Sequence, residues 1–226
     1  GLVGSEMCIR DRTKKRDSLM RAVRPIDDRL PVAIAFHEVI PEALAAWYDH
    51  VITQSDDGVQ LESERLQAPV AVVDIGGRTT DYVVVADQSV QQGSSGSLRC
   101  GLLDLKREVA EGIRGRFDMD AVSERAVDEA VQRGTVRLFG KDHDVSDLVN
   151  TAQRQIVARL HAETQRQLGC GAELERILFV GGGAVALAAQ IRDWFPHQAV
   201  AEHPAFANAR GMLKYLRYVC ETPHGV

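Results

Sequence analysis

Apolar residues along this chain recur at two spacings, and the alternation between them outlines an α/β protein. Val32, Ile34 and Phe36 alternate within residues 29–36, a strand pattern. Leu44, Trp47, Tyr48 and Val51 follow at i, i+3, i+4 and i+7, one stripe of a helix that Pro41 is suited to start. Residues 56–67 read as a solvated loop. Val70–Val73 and Tyr82–Val85 are continuous apolar runs, the mark of buried strands. Leu102, Leu105, Val109, Ile113 and Phe117 predict a helix broken near Gly115, and residues 121–132 another, with Val122, Ala126 and Ala130 inward. Thr135–Leu138 is a short strand ending at Phe139-Gly140. Ser146 is a candidate N-cap for a helix over 147–168 that buries Val149, Ala152, Ile156 and Leu160. Ile177–Val180 is a strand, 184–195 an amphipathic helix, and Pro204 precedes a last helix with Phe206, Ala209, Leu213 and Leu216 as its buried face. Gly211 in that helix costs about 1 kcal/mol relative to alanine, so close approach of another backbone is expected there.

Two glycine turns interrupt this pattern where strands end. The first is Asp74-Ile75-Gly76-Gly77-Arg78-Thr79-Thr80-Asp81, between the two apolar runs. Glycines permit a tight turn and close approach to a ligand, and successive N–H groups with threonine hydroxyls form a concave anion site. Asp74, at the strand end, is placed to hold a hydrated Mg²⁺ against phosphates. A plain Gly-Gly hairpin fits the same residues. The second turn, Gly181-Gly182-Gly183 before Ala184, joins a strand to a helix start and brings backbone N–H groups toward an anion or ribose. It is neither a P-loop, lacking Gly-Lys-Ser/Thr, nor a G-x-G-x-x-G fingerprint. Tight helix–strand packing is its alternative reading.

In this order the two turns resemble the actin-like ATPase superfamily, and within it the plasmid-segregation actins of the ParM/StbA family. Residues 74–81 look like the second phosphate loop and Val180–Ala184 like the adenosine loop. Residues 41–48 resemble the connecting helix, Ser97–Gly101 the turn after the phosphate hairpin, and 206–212 the C-terminal helix with its Asn-x-x-Gly-Met pattern. The resemblance covers residues 13–218. It implies a ribonuclease-H-like actin-type fold, incomplete at the N-terminus because the first phosphate loop is missing. It also implies ATP and Mg²⁺ as cofactors: Gly76, Gly77, Arg78, Thr79 and Thr80 would bind phosphate, and Gly181, Gly182, Gly183 and Ala184 the nucleoside. Glu42 would orient the attacking water and Asp74 hold Mg²⁺ through water, these two being the catalytic pair. Glu42 read alone is a carboxylate complementing a helix dipole. Arg78 stands where relatives often carry a small residue. The two glycine bends must then converge on one triphosphate from facing walls. Lys106, Arg107 and Glu108 are candidates for adenine or ribose contact, or else a wet helix face.

Residues 1–12 resemble a translated sequencing adapter, are expected to be disordered, and are set apart from fold reasoning. The expected divisions are then 13–68, a remnant of a first lobe with a connecting helix at 41–52; 69–205, a second lobe with a small subdomain at about 102–145; and 206–218, a helix returning to the first lobe. A chain lacking the first phosphate loop is expected to turn over ATP weakly or not at all.

Composition narrows the partners. At 226 residues, 45% hydrophobic and a net charge of −5, the chain can bury a sizeable core, and its charge gives no support for direct, non-specific DNA binding, which needs a basic face. The resemblance implies self-association into a filament and contact with DNA through a DNA-bound adaptor protein. No membrane-length apolar run is present, and a cytoplasmic location is expected. Cys8, Cys100, Cys170 and Cys220 show no C-x-x-C spacing; Cys8 falls within residues 1–12, and the other three read as reduced, mostly buried thiols. Asp142-His143-Asp144 has metal-ligand residue types but reads as a polar turn. Two further classes share the fold: a division- or pilus-type scaffold that binds nucleotide, and a monomeric chaperone-type or sugar-kinase-type ATPase. A kinase would need a catalytic Asp facing a hydroxyl, and none is apparent in the sequence.

Overall fold

The computed structural model describes residues 13, 14, 17, 18, 39–55 and 58–220. The expectations for residues 1–12 and for a strand at 29–36 fall outside the described residues. Contacts divide the chain into two compact units, Gly1–Pro41 with Val219–Val226, and Glu42–Tyr218. In the first, Thr13, Lys14, Asp17 and Ser18 are helical. All that follows concerns the second, which includes residues 42–68.

Helix α1 (Glu42–Val51) runs into a hairpin, β1 (Ile52–Ser55) with β2 (Gly58–Leu61), and a short helix α2 (Ser63–Gln67). This replaces the solvated loop expected at 56–67. Gly58, with φ +126°, supplies a backbone conformation that lets strand pairing begin at once. The main sheet is built from β3 (Val70–Ile75), β4 (Thr80–Ala86), β5 (Ser89–Val90), β6 (Gly96–Leu98), β9 (Arg176–Val180) and β10 (Gln198–Val200). Its order is β10-β9-β3-β4-β5, with β6 also on β4. β3 and β4 form an antiparallel hairpin, while β9 lies parallel to β3 and pairs Asp74 with Val180.

Every residue of β3 is buried, because both faces are covered. Ala71, Val73 and Ile75 join a core with Leu105, Val109 and Ile113 of α3 (Leu102–Phe117) and Val149, Ile156 and Leu160 of α5 (Ser146–Leu168). Val70 and Val72 join the opposite core, with Ala43, Ala46, Trp47 and Val51 of α1 and Ala207 of α8 (Ala207–Tyr218). Strand alternation therefore turns Asp74, in register with Val70 and Val72, toward the α1–α8 layer. That placement governs the site.

Between the sheet strands lie α3, then α4 (Glu124–Arg133), the hairpin β7 (Thr135–Leu138) and β8 (Lys141–Asp144), and α5. α3 runs unbroken through Gly115, around which a Cβ would meet open space. α4 begins three residues later than its apolar pattern suggested, because the Ser123 side chain accepts from Ala126 N at 3.3 Å and caps it there. It buries Val127 and Ala130. Asp142, His143 and Asp144 are strand residues rather than a turn. Arg137 Nη1 donates to Asp142 at 3.0 Å, and Asp144 Oδ1 accepts from Ser146 N at 2.8 Å. The N-cap position of α5 is therefore Val145, which makes no side-chain cap bond, and Ser146 is the first helical residue. After β9 the expected single helix over 184–195 is two short ones, α6 (Gly181–Ala186) and α7 (Ala188–Ile191), separated at Leu187.

α8 corrects the pattern most sharply. Phe206 just before it and Leu213 within it are 65% and 48% exposed, and Ala209 and Leu216 are exposed too. The buried side is instead Ala207 and Gly211. A Cβ on Gly211 would collide with the Ala45 carbonyl group of α1 and lie 3.2 Å from Asp49 N, so the expected close backbone approach is present. Asp49 then receives Arg210 Nη2 at 2.6 Å and Lys214 Nζ at 2.7 Å. The Tyr48 and Tyr215 rings pack tilted by 45°, with centroids 4.9 Å apart. Contact in this helix pair is made by glycine, alanine and long polar side chains, which a search for large apolar residues overlooks.

Candidate functional site

The β3–β4 turn is held from behind by the start of α3. Leu102 N donates to Gly76 O at 3.1 Å and Leu103 N to Gly77 O at 2.8 Å. Gly101 allows this approach, since a Cβ there would lie 2.6 Å from both carbonyl oxygens. In a trans peptide the C=O of one residue and the N–H of the next point in opposite directions. Tying the Gly76 and Gly77 carbonyls to α3 therefore turns the N–H groups of Gly77 and Arg78 away from it. Neither these nor the Thr79 N–H donates to any described residue. Gly76 N closes the turn onto Thr79 O at 2.9 Å. Successive unengaged amides on a glycine turn make an anion site.

The threonines divide their work. Thr79 Oγ1 donates to Asp81 Oδ2 at 3.0 Å, while Thr80 is fully buried and its hydroxyl donates to Cys100 O at 2.9 Å. Thr80 thus fastens the turn to the chain leading into α3, leaving backbone amides as the anion donors. Arg78 is exposed at the tip.

The triple-glycine bend lies beside this turn. Because β3 and β9 are parallel neighbours, their C-terminal ends emerge together, the position where open α/β sheets bind ligands. Gly181 adopts φ +87°, and a Cβ on it would strike Asp74 Oδ1 and sit 2.5 Å from Ile75 O. Gly183 packs equally close on Ile75. The two bends therefore abut on adjacent strands instead of facing each other from separate walls. Gly182 is exposed and Ala184 buried.

Asp74 sits between them, 2% exposed. Burial pushes its carboxyl above the usual range. A hydrogen bond from Asn208 Nδ2 to Oδ2 at 2.7 Å works against that shift, and the nearby charges of Glu42 and Asp81 add to it. Asp74 Oδ1 is buried without a partner. Glu42 is exposed in the first turn of α1. A buried carboxylate with one unpartnered oxygen, at the strand end that leads into a turn with free amides, suits a hydrated cation on a phosphate. Lys106 and Arg107, by contrast, pair with Asp128 and Asp104 at 2.6 and 2.7 Å on the outer face of α3.

Asn208 was not singled out from sequence, although its Asn-x-x-Gly pattern was visible. The signal lies in the spacing: Asn208 stands three residues before Gly211, the residue that presses α8 against α1. Gly101 was likewise seen only as part of a turn.

The profile described as archaeal actin homologue MreB-like, C-terminal, matches residues 72–193. Among curated proteins none matches the chain. Among solved structures, a non-polymerisable quadruple mutant of pCBH ParM superposes with TM-score 0.76 at 18% identity, over 92% of this chain and 64% of that one. A 15-stranded ParM filament from Clostridium botulinum gives TM-score 0.71 at 16% identity over 92% and 62%. Bacillus thuringiensis ParM with ATP gives 0.58 at 17% over 78% and 55%. The chain thus spans less than two thirds of the length of these structures. It shares their fold, the expected actin-type α/β architecture. No helix among the described residues is long and apolar enough to cross a membrane.

Proposed function

Since the chain belongs to the MreB-like archaeal actin homologues, we propose that the protein is an actin-like ATPase that binds ATP with Mg²⁺ and assembles filaments for plasmid partition. The observation that carries this is the abutment of the Gly76–Thr79 turn and the Gly181–Gly183 bend around the buried, half-unpartnered Asp74 carboxylate.

In this reading the N–H groups of Gly77, Arg78 and Thr79 receive the terminal phosphates, and Arg78 supplies a mobile positive charge at the tip. Gly181, Gly182, Gly183 and Ala184 seat the nucleoside end. Asp74 holds Mg²⁺ through water, and the ion supplies neutralisation of phosphate charge. Glu42 orients a water for attack from the first turn of α1. Phosphoryl transfer needs little covalent help from the protein, so positioning and charge neutralisation are the main work. Filament growth with ATP and disassembly after hydrolysis would follow closure of the lobes about the γ-phosphate. Self-association in the cytoplasm, with DNA reached through an adaptor, completes the proposal; the similar pCBH and Clostridium botulinum structures, a non-polymerisable mutant and a filament, support its assembly half.

The test is binding of a fluorescent ATP analogue together with ATP-dependent light scattering. Full-length protein should bind the analogue in a Mg²⁺-dependent manner and scatter more light with ATP, decaying as ATP is consumed. Glu42→Gln should keep binding and lose at least 100-fold in turnover, the range for a positioned acid–base group. Absence of nucleotide binding in full-length protein would remove the proposal, and undiminished turnover in the variant would remove the role of Glu42.

A further inference from the structure

Two acceptor oxygens at this site have no donor. Asp74 Oδ1 and Asn208 Oδ1 are both shut off from solvent and make no hydrogen bond. The Asn208 amide is oriented by its other end, because Nδ2 donates to Asp74 Oδ2 at 2.7 Å and only the NH₂ side can donate to a carboxylate. Its carbonyl oxygen is thereby left as an acceptor without a donor, the same condition as Asp74 Oδ1 on the side chain it holds. Buried acceptors without donors are costly and rare. One water could satisfy the hydrogen bonds but would leave the Asp74 charge buried and uncompensated, with the charges of Glu42 and Asp81 also acting on it. Hydrogens from the water shell of a cation meet both needs.

We propose that Asn208 is a second holder of the hydrated cation: its NH₂ fixes the Asp74 carboxylate, and its carbonyl oxygen accepts a hydrogen from the cation's water shell alongside Asp74 Oδ1. This deepens the nucleotide reading of the site and rests on it. It also makes the start of α8 part of that site, although α8 is otherwise attached through α1. The anchoring contacts, Gly211 on Ala45 and Arg210 and Lys214 on Asp49, do not involve the Asp74 side chain, so helix attachment and cation holding can be separated by mutation.

The experiment titrates Mg²⁺ against the complete chain in the presence of a fluorescent ATP analogue. Asn208→Ala should raise the Mg²⁺ concentration for half-maximal binding by about tenfold or more, the usual loss when an outer-sphere partner is removed. Affinity in excess EDTA should stay within about twofold, because the phosphate amides are untouched. Asp49→Asn loosens α8 without touching Asp74, and should lower the melting temperature while leaving the Mg²⁺ midpoint in place. If Asn208→Ala does not fold, Asn208→Ser replaces it with the same expectation. An unchanged midpoint in the Asn208 variant overturns the proposal, as does an equal shift in both variants, which would trace the effect to helix loosening. Wild-type protein that binds no nucleotide overturns the parent reading and this one together, a result distinct from either of those.

Discussion

Gly211→Ala inverts the usual effect of replacing a helical glycine. In an open helix the change adds about 1 kcal/mol of stability. Here the new methyl would overlap the Ala45 carbonyl and sit 3.2 Å from Asp49 N, and backbone atoms cannot swing aside as a side chain can. Relief requires α8 to move off α1. Overpacking of this kind costs about 1–3 kcal/mol. The movement also stretches the Arg210 and Lys214 bonds to Asp49, at 2.6 and 2.7 Å, and charged hydrogen bonds of that type contribute about 1.5–3 kcal/mol when intact. Partial loss of these, less the propensity gain, leaves a net destabilisation of about 2–3 kcal/mol. For a chain of this size that is a fall in melting temperature of roughly 4–12 °C. Urea unfolding followed by circular dichroism and by fluorescence measures it, since Trp47 is buried in α1 and reports on the contact. Gly115→Ala is the control: it lies in α3 with open space around it and should gain about 0.5–1 kcal/mol. If both variants are stabilised alike, the close approach of α8 to α1 is wrong.

Gly181→Ala places a Cβ against Asp74 Oδ1 at a residue with φ +87°, so nucleotide affinity should fall at least about tenfold with a stability loss of about 1–3 kcal/mol; affinity within twofold of wild type would show the bend is not at the ligand. His50 is held neutral to about pH 4 by burial first and then by the charges of Arg65, Arg176 and Lys214. Because the unfolded chain takes up that proton near pH 6.5 and the folded one does not, stability should fall as pH drops from 6.5 through 4, by roughly 1–2 kcal/mol after allowing for solvent screening. His50→Gln should flatten that part of the stability–pH curve relative to wild type, and parallel curves would refute the assignment.

The local grammar of the chain carried the sheet and much of the site. The continuous apolar runs at 70–73 and 177–180 announced buried strands, and the glycines after each marked where they end. What the sequence left open was which strands are neighbours, since parallel pairing of Asp74 with Val180 depends on contacts far apart in the chain. It therefore could not show that the two bends abut. The outer face of α8 misled for a related reason. Periodicity finds the apolar side of a helix, but α8 is seated by the smallest residue on the other side, and Phe206 and Leu213 remain at the surface. Thr80 shows the limit at single-residue scale: a hydroxyl in a phosphate-type turn proved to be a fastening to the Cys100 carbonyl. Asn208 escaped notice because an asparagine near a helix start is ordinarily a cap, and only the sheet alternation that turns Asp74 toward α8 gives it a partner.

The pairing of residue 74 with residue 180 also sets when the pocket comes into being. Closing a loop of that length costs about 4 kcal/mol of chain entropy before any contact between its ends is gained. A nascent chain that has left the ribosome only as far as α5 has its first glycine hairpin and no neighbour for it. Under the proposed function, nucleotide would be a ligand of the finished topology alone: it would arrive too late to guide the early steps of folding, and once bound it would hold shut the longest-range contact in the sheet.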